Sequence, residues 1–191
     1  MKEHLIWKEE GRKTVFNCPI FSVLELTSRS PKNNRKTYTV LDTSDWAIII
    51  PLLETVRGKE FLMVRQWRHG AGELSLEFPG GVLNKGEDAI TAAKRELREE
   101  TGYIAKKVEK LGELNPNPAI MSNTLHFFLA RELELDGAQK LDEDEYVETE
   151  TIPCEEVLNG LGKPPYFHAL MGTAMALYLT KPNLSCKLIK Q

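Results

Sequence analysis

Short runs in which apolar and polar residues alternate fill the first 44 positions of the chain. Turn-forming residues at 17–19 and 30–34 separate these runs, a pattern typical of an antiparallel β-meander. The three predicted strands are 14–18, 20–27 and 36–41. Because a sheet of this size is only marginally stable alone, we expect it to pack on the rest of the chain or on a second copy.

Beyond position 45, apolar runs alternate with helical patterns. Two segments rich in branched apolar residues, 46–53 and 60–66, predict central strands. Further strands are predicted at 73–78, 108–114, 124–131 and 146–152. Helices are predicted from Glu87 or Asp88 to Gly102, at 153–159 and at 168–179. Gly80 and Gly81 predict a tight loop before the first helix, where the backbone can approach a phosphate or a metal.

The first of these helices carries closely spaced acidic side chains. At about 100° per residue, Ile90, Ala93 and Leu97 form one apolar stripe, which predicts the buried face. Glu96 and Glu100 lie only about 40° apart on the flank of that stripe. Two like charges one turn apart repel each other, and more strongly when desolvated, unless a cation lies between the carboxylates.

Carboxylate oxygens near a phosphate favour magnesium as that cation, with manganese as a second possibility. The competing interpretation is a solvated acidic face whose charges are balanced by Lys94, Arg95 and Arg98. A charged helix by itself favours the solvated face. The spacing of the surrounding residues, described below, favours the cation.

Composition excludes several classes of protein. The 191 residues carry a formal net charge of −3, so no basic stripe is available for nonspecific binding of a long nucleic acid. No apolar run approaches the roughly 20 residues that span a bilayer, and the first residues do not form a signal-peptide pattern. We therefore expect no nucleic-acid partner, no membrane association and a cytoplasmic location.

The three cysteines, Cys18, Cys154 and Cys186, are far apart in the sequence. Their number is odd and they lack Cys-x-x-Cys spacing, so the sequence predicts neither a disulfide framework nor a zinc site. We expect reduced, structural thiols.

The segment from Gly80 to Tyr103 contains a longer motif in which glycine, arginine and glutamate recur at fixed intervals. In order, the motif is Gly81, five residues, Glu87, seven residues, Arg95-Glu96-Leu97, one residue, Glu99-Glu100, one residue, and Gly102-Tyr103. This pattern resembles the Nudix box, with an aromatic residue where an aliphatic one is usual at the last position. The chain is thus similar to the Nudix hydrolases.

The resemblance implies a fold and an assembly. Nudix domains are α/β/α sandwiches with a mixed central sheet, so the expected architecture is an α/β Nudix domain over 45–191 preceded by the antiparallel β-meander of 1–44. In the sugar-nucleotide branch of the family the N-terminal sheet commonly exchanges between subunits, which implies a homodimer here. A sheet packed within one chain is the alternative.

The resemblance also implies metal-dependent hydrolysis of a nucleoside diphosphate linked to another moiety. For this sequence, the resemblance implies that Glu96, Glu100 and the carbonyl of Gly80 bind the metal. Glu99 is a possible further ligand or catalytic group. Arg95 then orients the acidic residues. Glu87 supports the loop through that arginine.

An acidic cluster at 141–146 precedes a predicted strand. From composition, a solvated charged loop is an equally good interpretation. The sequence resembles ADP-ribose pyrophosphatases here, which implies Glu143 as the general base and Glu145 as a metal ligand. The alignment is uncertain by two residues, so Asp142 and Asp144 remain open.

Substrate-binding residues are expected on both sides of the motif. Arg65 and Arg68 can bind phosphates, and Glu77 can accept a hydrogen bond from a ribose hydroxyl, although the arginines could also be surface cations. Trp46 can stack on a base or sugar, or simply pack in the core. Pro118 lies fifteen residues beyond Tyr103, close to where a proline marks the ADP-ribose pyrophosphatases.

The predicted function is hydrolysis of ADP-ribose or a related nucleoside diphosphate sugar, a small nucleotide substrate, to a nucleoside monophosphate and a sugar phosphate. A pyrophosphatase of noncanonical nucleoside triphosphates is an enzymatic alternative. A Nudix module that binds ADP-ribose without cleaving it is a non-enzymatic one. Neither the base nor the sugar follows from the sequence.

Overall fold

A computed structural model describes residues 2–181 of the chain, so Cys186 and the rest of 182–191 lie outside the described residues. The described residues form two compact units. The first contains the chain through Asp45 together with Leu114–Thr124, and the second contains Trp46–Glu113 and the described residues from Leu125 onward. Among residues 2–181, no helix is both long enough and apolar enough to cross a membrane.

The first unit is built on a three-stranded antiparallel meander. Its strands are β1 (Lys8–Asn17), β2 (Phe21–Arg29) and β3 (Arg35–Thr43), in the order β1-β2-β3. The predicted meander is therefore confirmed, with longer strands than expected. Several apolar side chains of this unit, among them Val15, Phe16 and Ile20, are exposed. Burial of these side chains by a second copy remains a prediction.

The segment Leu114–Thr124 is tied to the end of the meander by hydrogen bonds. The backbone N–H of Leu41 donates to the carbonyl of Ile120 at 2.7 Å, and the N–H of Ser122 donates back to the carbonyl of Leu41 at 3.1 Å. The Ser122 hydroxyl also donates to Asp42 Oδ1 at 2.6 Å. Pro118 lies in an exposed turn of this segment.

The second unit contains one seven-stranded mixed sheet and three helices. The sheet has the order β10-β5-β4-β9-β8, with β6 paired to β5 and β7 to β4, and β4 runs parallel to β9. Its strands are β4 (Trp46–Thr55), β5 (Gly58–Arg68), β6 (Glu73–Glu77), β7 (Gly80–Val82), β8 (Tyr103–Leu114), β9 (Leu125–Leu135) and β10 (Val147–Pro153). The helices are α1 (Ala89–Thr101), α2 (Cys154–Gly160) and α3 (Ala169–Leu179).

Strand β4 shows how this sheet separates two cores. Successive side chains of a strand point to opposite faces, so Ile48 and Ile50 pack in the core shared with α2 and α3. Ala47 and Ile49 pack in the core shared with α1. The sheet therefore lies between helices on both faces, which confirms the predicted α/β/α sandwich with a mixed central sheet.

Helix α1 begins and ends where the sequence predicts. Asp88 is the N-cap, and its carboxylate accepts the backbone N–H of Thr91 at 3.1 Å. Gly102 ends the helix in the left-handed conformation, with φ of 75°. The predicted apolar stripe is wrong at Ile90, which is 37% exposed. Burial requires the sheet to lie opposite that turn of the helix, and periodicity does not contain this information.

The predicted glycine loop at 80–81 is instead the short strand β7. Gly80 pairs with Ile48 and Gly81 with Ala47 of β4. A methyl group on Gly80 would overlap the backbone carbonyl of Ala47, and one on Gly81 would overlap the Glu96 carboxylate. Only glycine permits this approach, and a strand of three residues is too short to show an alternating pattern.

Replacing Gly80 by alanine tests this packing. Because the added methyl group meets backbone atoms, we expect Gly80→Ala to lower the free energy of unfolding by about 1–3 kcal/mol in urea titrations. Gly70→Ala is the matched control, since a methyl group there meets no atom within 4 Å. Equal urea midpoints for the two variants would refute the close approach of β7 to β4.

Candidate active site

Helix α1 and strand β7 hold a buried carboxylate between them. Glu100 is only 4% exposed, and its Oε2 accepts the backbone N–H of Gly80 at 2.9 Å. Glu96 lies one helical turn earlier and is largely shielded from solvent. The close approach of Gly81 to Glu96 places β7 directly against this pair. Two acidic side chains that were predicted as metal ligands are thus packed together beside Gly80.

Burial and mutual repulsion both disfavour the charged forms of this pair. Burial, with the charge of Glu96 as the next cause, raises the pKa of Glu100 to about 8. Burial also raises the pKa of Glu96, against the influence of Arg95. Glu145, which is exposed to solvent, contributes a smaller repulsive charge to both carboxyl groups. A site with these properties is stabilised by a cation.

Arg95 joins three acidic side chains and the backbone of β7. Its Nε and Nη2 donate to the two oxygens of Glu87, at 2.9 and 3.0 Å, while Nη1 donates to Glu96 at 2.8 Å and to Glu99 at 3.0 Å. Nη2 also donates to the carbonyl of Val82 at 3.1 Å. Glu87, followed by Glu99 and Glu96, raises the pKa of Arg95. These contacts fix the side chains of Glu96 and Glu99 relative to β7.

The acidic residues suit a hard divalent cation, although the side chains are not arranged as a finished site. Within residues 2–181, no three His, Cys, Asp or Glu side chains are grouped as a ready set of metal ligands. Arg95 binds oxygens of Glu96 and Glu99, so these carboxylates are partly engaged. The remaining repulsion between Glu96 and Glu100 and the oxygen donors nevertheless fit magnesium or manganese.

The acidic loop before β10 carries two predicted functional residues, Glu143 and Glu145, and both are exposed to solvent. The backbone N–H of Asp142 donates to Glu145 Oε2 at 3.2 Å, and the N–H of Glu145 donates to the Asp142 carbonyl at 3.1 Å. Glu145 is the member whose charge affects Glu96 and Glu100. Glu143 is exposed to solvent on the same loop. Its role as a base stays a prediction.

A small pocket adjoins the carboxylate pair through Gly80. Three predicted substrate-binding residues, Trp46, Arg68 and Glu77, line it together with Gly80. The remaining lining residues are Ile48, Phe78, His168, Leu170 and Met171. The structure therefore gathers residues from β4, β5, β6 and α3 on one side of Glu100.

Arg68 and Glu77 bind each other in this pocket. Nε of Arg68 donates to Glu77 Oε1 at 2.8 Å, and Nη2 donates to Oε2 at 2.6 Å. Glu77 is 5% exposed. Burial, the largest single influence, would raise the pKa of Glu77, but the bonds and charge of Arg68 lower it overall. From the sequence, Arg68 and Glu77 are predicted to contact the substrate separately. Their ion pair could not be predicted, because the sequence does not show that β5 pairs with β6.

Arg65 and Pro118 are not among the residues that line this pocket. Arg65 forms an ion pair with Glu150 of β10 and lines a second pocket with Glu145, Tyr146 and neighbouring residues. Pro118 belongs to the first of the two units. The sequence predicts that both contact the substrate. Those roles stay predictions.

His168 is a pocket residue that the sequence analysis does not select. It is the N-cap of α3, where its Nδ1 accepts the backbone N–H of Leu170 at 3.2 Å. Its Nε2 lies 4.0 Å from Glu77 Oε2. Burial lowers the pKa of His168. The one feature of the sequence that singles out His168 is its position at the start of an apolar helix. That position predicts a helix cap and does not predict contact with a ligand.

Comparison with known proteins agrees with the fold and the motif. The family profile of the NUDIX domain matches residues 44–171. An ADP-ribose pyrophosphatase of Bacillus subtilis is 42% identical over 108 residues, which are 56% of this chain and 58% of that protein. An ADP-sugar pyrophosphatase of Mus musculus is 30% identical over 139 residues, 65% of this chain and 59% of that protein. The matches thus span less than two thirds of either relative.

A solved structure extends the likeness to nearly the whole chain. A crystal structure of an ADP compounds hydrolase superposes with a TM-score of 0.82 and covers 97% of this chain and 100% of its own. At 22% sequence identity, this match shows a shared fold. The family profile spans more than half of the chain and includes the acidic helix and its pocket. This protein belongs to the Nudix family.

Proposed function

We propose that the protein hydrolyses the pyrophosphate bond of ADP-ribose or a related nucleoside diphosphate sugar, with magnesium or manganese as cofactor. The products are a nucleoside monophosphate and a sugar phosphate. The observation that carries this proposal is the pairing of buried Glu100 with the partly shielded Glu96, beside a pocket lined by Trp46 and the Arg68–Glu77 ion pair. The names of the relatives from Bacillus subtilis and Mus musculus support the same class of substrate.

Glu96, Glu100 and Glu145 are the side chains that would hold the cation. A divalent cation in this position supplies positive charge for the phosphate oxygens and lowers the pKa of a bound water. Gly80 fixes Glu100 through its backbone N–H, and Arg95 fixes Glu96 through Nη1. The protein thereby holds the ligand oxygens in place before the substrate arrives.

Glu143 is the proposed acceptor of the proton from the attacking water. It lies on the exposed acidic loop, two residues before Glu145. Exposure allows the side chain to approach a substrate that occupies the pocket, while Glu145 connects the loop electrostatically to the carboxylate pair. Glu99 of α1, which accepts a hydrogen bond from Arg95 at 3.0 Å, is the second candidate for this proton acceptor.

Substitution of Glu100 by glutamine distinguishes an enzyme from a module that only binds ADP-ribose. We expect purified wild-type protein with Mg²⁺ to cleave at least one of ADP-ribose, ADP-glucose, GDP-mannose and UDP-glucose, with products identified by chromatography. Glu100→Gln keeps the side-chain shape but removes the charge, so kcat should fall by about 10²–10³ or more.

The control for that experiment is Glu134→Gln, which alters an exposed glutamate that pairs with Lys106 far along β9. Its kcat should equal that of the wild type. Two results speak against the proposal: no turnover of any sugar nucleotide by the wild type, or full activity in Glu100→Gln. Preferential release of pyrophosphate from nucleoside triphosphates would instead support the triphosphatase alternative.

Substitution of Arg95 is a second test of the proposal. We propose that Arg95 positions the acidic side chains and does not bind the substrate itself. Arg95→Met removes the bonds to Glu87, Glu96 and Glu99, so kcat should fall by about 10–100-fold with a smaller change in KM. Arg98→Met is the matched control on the same helix, since Arg98 binds Asp136 at 2.6 Å. Equal kcat values for the two variants would show that Arg95 has no positioning role.

A further inference from the structure

His168 presents an unused hydrogen-bond donor to the pocket beside Gly80. Its Nδ1 accepts the backbone N–H of Leu170. In a neutral imidazole one ring nitrogen accepts and the other donates, so the proton lies on Nε2. The lowered pKa of this buried side chain agrees with the neutral form. Among residues 2–181, no hydrogen-bond acceptor lies within bonding distance of this Nε2–H.

The position of Glu77 completes a donor–acceptor pair. Glu77 Oε2 lies 4.0 Å from His168 Nε2, which is too long for a direct hydrogen bond. Arg68 holds the Glu77 carboxylate through two bonds, so this oxygen is fixed in orientation. The two atoms therefore form a rigid pair, one donating and one accepting, with a gap between them.

A single hydroxyl group fits that gap. An oxygen placed about 2.9 Å from each atom would make an angle of roughly 90° between its two hydrogen bonds, close to the directions that a hydroxyl prefers. A hydroxyl both accepts and donates, so it can take the Nε2–H of His168 and donate to Glu77 at once. A phosphate oxygen lacks the proton for the second bond and would meet the Glu77 charge.

The surroundings indicate which hydroxyl occupies the position. Gly80 lines this pocket and also donates to Glu100, so a group bound here lies next to the carboxylate pair. Trp46, Leu170 and Met171 supply apolar walls to this pocket, which has room for one hydroxyl group and not for a whole sugar ring. The group adjacent to a pyrophosphate in a nucleotide sugar is a sugar, and its hydroxyls are within reach of the pair.

We propose that His168 is a specificity-determining residue that, together with Glu77, binds one hydroxyl of the sugar adjoining the pyrophosphate. This inference rests on the proposed function in that it takes the ligand to be a nucleoside diphosphate sugar. It adds a residue from α3 to the substrate-binding set and assigns the Arg68–Glu77 ion pair to sugar recognition.

The variant His168→Asn separates the two roles of the imidazole. Asparagine is among the most favourable N-cap residues, so its side-chain oxygen replaces Nδ1 and α3 remains capped. The shorter side chain places no donor at the position of Nε2. His69→Asn is the matched control, since His69 is exposed beside Trp67 and does not line the pocket.

Binding measured by calorimetry in EDTA avoids turnover. The ligands are ADP-ribose and a series of analogues that each lack one sugar hydroxyl. Loss of one hydrogen bond should weaken ADP-ribose binding to His168→Asn by about fivefold to tenfold, with His69→Asn unchanged. One analogue should bind the wild type more weakly by a similar factor and show no further loss in His168→Asn. The hydroxyl whose removal is not additive with His168→Asn is the one that His168 binds.

Two results overturn the inference. In one, His168→Asn binds ADP-ribose as tightly as the wild type does. In the other, every analogue loses the same factor in both proteins, which would mean that Nε2 contacts water only. If the wild type binds with the expected pattern in EDTA but cleaves no sugar nucleotide when Mg²⁺ is added, the proposed function fails and the role of His168 stands.

Discussion

Two carboxylates of like charge, packed one turn apart on a helix and shielded from water, are the constraint on which this site depends. Glu100 is almost fully buried against β7, and Glu96 lies beside it. A protein gains no stability from this arrangement when both groups are charged, because burial and repulsion act in the same direction. We therefore interpret the arrangement as the cation site proposed above, where a bound cation would offset this cost.

The fold supplies what is needed to hold that pair. Ala92 and Ala93 are fully buried, and their small side chains let α1 approach β4 closely. Gly80 and Gly81 let β7 enter the remaining space, where the Gly80 N–H reaches Glu100. Arg95 then connects the start of the helix to its middle through Glu87 and Glu96. The same packing that closes the sandwich thus positions the oxygens of the proposed metal ligands.

Local signals in the sequence predict much of this. Asp88 and Gly102 mark the ends of α1, because capping depends on residues adjacent in the chain. The spacing of Glu96 and Glu100 predicts their proximity from helical geometry alone. Periodicity fails for Ile90 and for β7, since the exposure of one and the pairing of the other depend on which strand lies opposite.

Contacts between distant segments could not be predicted from the chain. Arg68 and Glu77 bind each other because β5 and β6 pair in a register that brings them together, and no local pattern specifies a register. His168, the N-cap of α3, lines the same pocket although it follows Glu77 by about ninety residues in the sequence. Both features that we assign to sugar recognition are of this long-range kind.

The most direct test of the account measures how Mg²⁺ changes the stability of the wild type and of Glu100→Gln. Burial and Glu96 raise the pKa of Glu100 from 4.5 to about 8, so the folded state holds its proton more tightly than the unfolded state does. Without metal, the protonated Glu100 therefore adds to the free energy of unfolding. This contribution is complete below pH about 4.5 and is lost as the pH rises through about 8.

In EDTA at pH 9, urea titrations should therefore show Glu100→Gln to be more stable than the wild type. With Mg²⁺ at roughly 100 times its dissociation constant, the wild type should gain about 2–3 kcal/mol and the variant much less, which removes or reverses the difference. Equal effects of Mg²⁺ on both proteins, or a wild type that is already the more stable in EDTA, would contradict the account.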